Sequence, residues 1–270
     1  MFAAVIPAKN EAGTLGEVIV NLPTDILDLI IPVLNGCVDG SLAVLEKINC
    51  PSLAPLCFVE PLGIDVPRAV GALAARELGA HGVLFVDGDM HGAGPSMLRE
   101  IILAVQRRGL DLALTNCYPA DMQQHLDPLA ACLLEVRKML NRHLHLLDGI
   151  GPATPSHGPH AVSGRLLRMA NPTEFAIPPL LLARAARAGL NVGIAAEIPH
   201  WLLGSPLRSS LHVQKISHTI IGDCLAALRA RNEKPGSRIL NGREYVGYHA
   251  ERRWDLLEAF AAGVITGECF

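Results

Sequence analysis

Four times in the first ~90 residues, a short apolar run leads into a polar turn. Phe2–Ile6, Leu29–Leu34, Leu56–Val59 and Val83–Val86 are short, apolar and rich in β-branched side chains, so they read as strands. Glu11–Leu22, Ser41–Ile48 and Pro67–Leu78 carry apolar residues at helical spacing. Asp39 or Ser41 caps the second, and Gly79 ends the third. Strand and helix alternating at this interval imply a parallel sheet covered by helices. Right-handed crossovers then put every strand-end loop on one rim. Those loops hold Asn10 and Glu11, Asn35 and Asp39, Gly63 and Asp65, and Asp87 and Asp89. Open α/β sheets bind ligands at that rim.

The fourth loop carries the sharpest chemistry. Leu84-Phe-Val-Asp-Gly-Asp-Met90 ends a buried strand in two carboxylates separated only by Gly88. Asp87 and Asp89 at a sheet edge can hold Mg²⁺ or Mn²⁺, and such an ion bridges the oxygens of a diphosphate. Asp-Gly is also an ordinary turn pair.

Composition excludes several other classes. Of 270 residues, half are hydrophobic and 18% charged, which excludes a disordered chain. Net charge is −3 without a long basic block, so no nucleic-acid partner is expected. Apolar runs stay short of the ~18 residues of a membrane span, and the apolar start, Met1 to Pro7, lacks a basic flank and is no signal peptide. Seven scattered cysteines without a C-x-x-C pair suggest free thiols in a reducing cytoplasm, with peripheral membrane association still compatible.

The second half is less regular. Helices are expected over Pro95–Arg108, Leu126–Leu147, Leu180–Ala188 (ended by Gly189), Ser210–Arg231 and Trp254–Ala262. Strands are expected over Asp111–Thr115 and Val192–Ile198. Gly149–Pro159, rich in Gly, Pro, Ser and His, reads as a loop or lid. The 126–147 and 254–262 segments would pack internally or in a homodimer.

Taken in order, these motifs resemble family 2-type glycosyltransferases of the GT-A fold. Val5-Ile-Pro-Ala-Lys-Asn-Glu11 matches the family's first turn. Asn35-Gly-Cys-Val-Asp-Gly-Ser41 matches its second loop, with Asn35 where Asp is common. Leu62-Gly-Ile-Asp-Val-Pro-Arg-Ala69 stands at the third, without the usual lysine, and Phe85-Val-Asp-Gly-Asp89 at the fourth. The second half is similar to the glucosyl-3-phosphoglycerate synthase branch. His160-Ala-Val-Ser-Gly-Arg165 stands at the acceptor-contacting stretch, and Pro199-His200-Trp201 at a metal-ligating histidine.

The resemblance implies a single GT-A domain over 1–270, with a nucleotide-sugar half (1–115) and an acceptor half (116–270). It implies a metal-dependent transfer from a UDP- or GDP-linked sugar. Pro7, Ala8, Asn10 and Glu11 would line the base and ribose, with Asn35 at the base edge. Asp65 and Arg68 would lie near base and phosphate, Arg68 offering its planar fork to phosphate oxygens. Asp89 would ligate the metal directly, and Asp87 would reach the ribose or a metal-bound water. His200 would complete the set, with His212 as competitor. Asp39 reads as structural.

Val162, Ser163 and Gly164 would contact the acceptor, where a small residue permits close backbone approach. Arg165, Arg168 and Arg208 are candidates for an anionic acceptor. Glu174 is the candidate base for an inverting transfer, while a retaining route needs none. Two alternatives stay open: a non-catalytic nucleotide-sugar-binding protein on the same fold, and a nucleotidyltransferase. The second lacks a glycine run after strand one.

Overall fold

The computed structural model describes residues 1–205, 209–230 and 234–267, leaving aside the side chains of 124 and 125. The elements, in order, are β1 (Ala3–Ala8), α1 (Leu15–Val20), β2 (Leu29–Asn35), α2 (Ser41–Glu46), β3 (Leu56–Phe58), α3 (Val66–Glu77), β4 (Gly82–Phe85) and α4 (Pro95–Gln106). There follow β5 (Leu112–Asn116), α5 (Pro128–His143), α6 (Leu147–Ile150), β6 (His160–Ser163), α7 (Gly164–Met169), α8 (Pro172–Ala176), α9 (Pro178–Arg187) and β7 (Val192–Glu197). The last are α10 (Ser210–Leu228), β8 (Ile239–Leu240), β9 (Arg243–Glu244) and α11 (Trp254–Ala261).

The main sheet has seven strands in the order β3-β2-β1-β4-β6-β5-β7. The β1–β2, β1–β4, β2–β3 and β5–β7 pairs are parallel. β6 alone runs the other way, antiparallel to both β4 and β5. This is the mostly parallel α/β sheet expected. The sheet spans both halves of the chain, because β4 pairs with β6.

Helices cover both faces. One core packs α1, α2 and α4 against Ala4, Ile6, Ile30 and Leu84. The other packs α3 and α7 to α11 against Ala3, Val5, Val33 and Phe85. Alternate strand residues serve alternate cores, as the pleat requires.

The structure differs from the sequence reading in several places. The first helix starts later, because Thr14 and Leu15 donate to the Glu11 carbonyl in a turn. The 126–147 segment breaks into α5 and α6 at His145, whose φ is +58°. Gly79 and Gly189 end their helices with φ of +83° and +63°, as read. Arg231, the expected end of the 210–231 helix, lies outside the described residues. Gly149–Pro159 is a packed loop rather than an open lid: Pro152 to Pro155 are buried, and Asn141 holds the Gly151 and Ala153 carbonyls at 2.7 and 3.0 Å. Cys37, Cys50, Cys117, Cys132 and Cys224 are free, but Cys57 is disulfide-bonded. Among the described residues no helix is long and apolar enough to cross a membrane.

α3 lies so close on β1 that a Cβ at Gly71 would come within 2.3 Å of Val5 Cγ1. Gly71→Ala gains up to about 1 kcal/mol of helix propensity, and overpacking costs about 1–3 kcal/mol. Chemical denaturation should therefore show a net loss near 1 kcal/mol, and unchanged stability would mean that Val5 can yield.

Candidate active site

From β1 the chain adds β2 and β3 on one side, then returns to place β4 on the other. The crevice of such a sheet opens at this reversal, outside the carboxyl ends of β1 and β4. Pro7 and Ala8 end β1, and Asp87-Gly88-Asp89 follows β4. The two loops touch. Gly88 N donates to the Pro7 carbonyl at 2.9 Å, and Thr14 Oγ1 to the Gly88 carbonyl at 2.7 Å. A Cβ at Gly88 would meet that of Ala8 at 3.0 Å, which keeps a small residue between the carboxylates.

The first and second loops are also tied. Asn10, at φ +58°, accepts from Val38 N through its Oδ1 at 2.9 Å. Glu11 N donates to Ser41 Oγ at 3.1 Å. Asp39 accepts from Ala12 N at 2.9 Å and from Ser41 N and Oγ at 3.0 and 2.6 Å, a structural role as expected.

Several side chains expected to meet the nucleotide are engaged within the protein. Asn35 is buried, accepting from Leu62 N at 2.6 Å and donating to the Gly63 carbonyl at 3.1 Å. Its amide shapes the third loop rather than a base edge. Asp65, at φ +61°, pairs with Arg68 and, at 3.0 Å, with Arg252. The Arg68 fork is spent on carboxylates rather than held out to phosphate. One arm reaches Asp65, and Nη2 reaches both Asp87 oxygens at 2.6 Å.

The pairing continues inward. Asp223 accepts from Arg252 at 2.7 and 2.9 Å and from Arg238 at 2.5 Å. Burial pushes the Asp87 carboxyl up, the Arg68 guanidinium pulls it down, and Asp89 pushes it up again, for a net rise. At Asp223 burial is overcome by Arg252 and Arg238, and the carboxyl sits below its usual range.

A second group lies beside the β5 end and the loop entering β6. His200 opens a short 3-10 turn after β7, its N donating to the Cys117 carbonyl at 3.1 Å. Its Nδ1 lies 3.1 Å from His157 Nε2, and Tyr118 stacks on both rings. Burial, then the nearby positive charge of Arg137, lowers both imidazoles and keeps them neutral. His212 instead meets the Tyr248 hydroxyl at 2.9 Å.

Among the described residues no three His, Cys, Asp or Glu side chains gather as a metal cluster. Arg68 covers both Asp87 oxygens, which argues against Asp87 as a direct ligand. A carboxylate at Asp89 still suits a hard cation, because Mg²⁺ sites commonly use one or two carboxylates and complete their shell with substrate phosphate and water.

The acceptor stretch needs the largest correction. In β6, His160 pairs with Phe85 and Ser163 with Gly82. The antiparallel strand therefore enters at the Asp87 rim and leaves at the opposite one. Val162 is buried in the sheet. Ser163 caps α7 and donates to Asp111 Oδ1 at 2.7 Å, while Gly164 N donates to the His81 carbonyl at 2.7 Å. Asp111 and His81 precede β5 and β4, so this is the far rim, roughly 10 Å or more away at ~3.3 Å per strand residue. Arg165 and Arg168 extend from that side, and Arg208 lies outside the described residues.

Glu174 is no base at the rim. It is buried, forms a capping box with Asn171, and pairs with Arg184 at 3.0 Å. What reaches the correct rim is the segment before β6, with His157, together with Tyr118 and Arg137. Arg137 was legible as a charge on the apolar stripe of α5, between Leu134 and Leu140.

This is the fold of the GT-A nucleotide-diphospho-sugar transferases. Among solved structures the chain is similar to glucosyl-3-phosphoglycerate synthase from Mycobacterium tuberculosis. For its complex with Mn²⁺, uridine diphosphate and phosphoglyceric acid, the TM-score is 0.62 at 18% identity, over 86% of this chain and 80% of that one. For the complex with Mn²⁺, UDP-glucose and phosphoglyceric acid it is 0.62 at 18%, over 88% and 82%. For that with Mg²⁺ and uridine diphosphate it is 0.58 at 19%, over 88% and 82%. No family model and no curated relative matches the chain. At these identities the likeness establishes the fold.

His160 stacks on Phe85 at 5.0 Å, and burial pushes its imidazole down to about 3. The unfolded chain binds this proton near pH 6.5 and the folded one only near 3. Folding stability is therefore full above 6.5 and lost as pH falls, by up to ~1.4 kcal/mol per pH unit. Urea unfolding from pH 7 to 5 should show a flatter pH dependence in His160→Gln than in the parent. Parallel slopes would mean that His160 titrates normally.

Proposed function

We propose that this chain is a glycosyltransferase that takes a sugar from a uridine-diphosphate donor with the help of Mg²⁺ or Mn²⁺. The observation that carries the reading is the meeting of the β1 and β4 loops at the sheet's reversal point, where the Gly88–Pro7 hydrogen bond sets Asp89 beside the end of β1. The similar mycobacterial enzyme has been crystallised with Mn²⁺, UDP-glucose and phosphoglyceric acid, which supports a uridine over a guanosine donor.

In this reading the base and ribose lie along Pro7, Ala8 and Glu11. Asp89, with His200, would hold the cation, which neutralises charge developing on the departing diphosphate. Arg68 acts indirectly: by gripping Asp87 and Asp65 it fixes the angle at which the acidic loop leaves β4. Residues 1–115 form the donor half and 116–270 the acceptor half of one domain.

One observation favours a second reading, a protein that binds the nucleotide-sugar without turning it over. The grip of Arg68 on both Asp87 oxygens leaves less negative charge for a cation than two unpaired aspartates would supply.

Calorimetry with UDP, GDP and their glucose conjugates, with and without Mn²⁺, tests both. We expect UDP and UDP-glucose to bind in a Mn²⁺-dependent way, and Asp89→Ala to weaken that binding at least tenfold, about 1.4 kcal/mol, with an unchanged unfolding temperature. Nucleotide binding that ignores both metal and Asp89 would remove the metal assignment. Tight UDP-glucose binding with no UDP released across a panel of hydroxyl acceptors would leave the binding protein standing.

A further inference from the structure

A cleft of about 260 Å³ opens between the ends of α8 and α10 and the start of α11. Arg238 lies in its lining, so the cleft begins where the ion pairs that run from Asp87 through Arg68, Asp65, Arg252 and Asp223 end. No residue of the β1 or β4 loops lines it. Ile177 and Ala226, both buried, give it an apolar wall. Trp254 and Glu258, one helical turn apart, face it from one side of α11.

Three polar groups of this lining have no partner among the described residues. The first is on His249. Its Nδ1 lies 2.9 Å from Arg252 Nη1, and arginine has only donors, so Nδ1 accepts and the proton sits on Nε2. Burial, then the charges of Arg238 and Arg252, lowers this imidazole to about 4, so at neutral pH Nε2–H is a donor on an uncharged ring. The second is the indole N–H of Trp254, whose ring centroid lies 5.8 Å from that of His249. The third is the exposed carboxylate of Glu258.

Electrostatics selects the charge of a ligand. Arg238 and Arg252 are already matched by Asp223, and Glu258 repels an anion. The Arg252 guanidinium lies 6.0 Å from the Trp254 ring centroid, so the attraction of the indole for a cation is already used. A neutral, flat molecule with a donor beside an acceptor meets every group on offer.

We propose that this cleft binds an uncharged, planar nitrogen heterocycle that carries an amino group and has the size of a purine base. The ring lies against the Trp254 indole, the amino group donates to Glu258, and a ring nitrogen accepts from His249 Nε2. Drug-sized ligands occupy ~300–1,000 Å³, so this cleft suits one fused ring system rather than a whole nucleotide. The inference does not depend on the transferase reading.

The test uses the full chain with Trp201→Phe, which leaves Trp254 as the single tryptophan. Adenine, unsubstituted purine and benzylammonium are the probes, read by indole fluorescence and by calorimetry. We expect adenine to bind and to quench Trp254, purine to bind about tenfold more weakly for want of the hydrogen bond to a charged acceptor, and benzylammonium not to bind. Glu258→Ala, at an exposed position, should bring adenine down to the affinity of purine and leave purine itself unchanged. Saturating UDP with Mn²⁺ should leave adenine binding in place.

No binding of adenine, or binding without quenching, would overturn the site. So would adenine affinity unchanged in a Glu258→Ala protein that unfolds at the parent's temperature. Displacement of adenine by UDP would move the heterocycle to the rim and overturn the cleft. Benzylammonium binding more tightly than adenine would overturn the ligand class and make this a cation site.

Discussion

Six side chains of alternating sign run from the interior of the second core to the ligand rim: Arg238, Asp223, Arg252, Asp65, Arg68 and Asp87. Each ion is costly to bury alone, and each is offset by the next. Because carboxylates and guanidiniums are equal in number, the row is neutral and tolerates its depth. Its mechanical effect matters more than its net energy. Arg252 also donates to the Ile64 carbonyl, and Arg253 N to that of Leu62, so the loop after β3 is clamped from below. That loop leads into α3, whose Arg68 holds the first aspartate after β4. The acidic rim is thereby set by side chains that are themselves engaged within the protein.

The sheet was legible in the sequence because a parallel strand buried on both faces must be an apolar run, and β1, β2 and β4 are such runs. β6 was not. It has four residues and opens with a histidine, whose burial depends on stacking against Phe85. Missing its direction sent the acceptor assignment to the wrong rim, since a strand that runs backwards presents its first residue, not its last, to the site. The β8–β9 hairpin was missed, although Leu240-Asn-Gly-Arg243 carries its turn: Asn241 and Gly242 both take positive φ, the conformation that an Asn-Gly turn favours.

At the rim itself, the place of Asp87 and Asp89 was legible because a buried apolar run that turns polar marks the end of a strand. The duties of Asn35, Asp65 and Arg68 were not. Each partner lies on a loop remote in sequence, and an amide or guanidinium aimed at a backbone carbonyl has the same one-letter code as one aimed at a nucleotide. Arg137 shows the converse. A charge within a helix's apolar stripe is visible in the sequence, but that no carboxylate among the described residues pairs with it is visible only once the other buried arginines have found theirs.

The Arg252–Asp65 bond joins positions 187 residues apart. During synthesis, the βα units that bear the donor residues emerge long before the arginine that steadies them. At ~5–20 residues per second, that interval is on the order of ten seconds or more. Throughout it, Asp65 can pair with Arg68 but lacks its second counter-ion. The sheet can therefore form early while its working edge matures late, so a ligand rim in its final shape has to wait for Arg252.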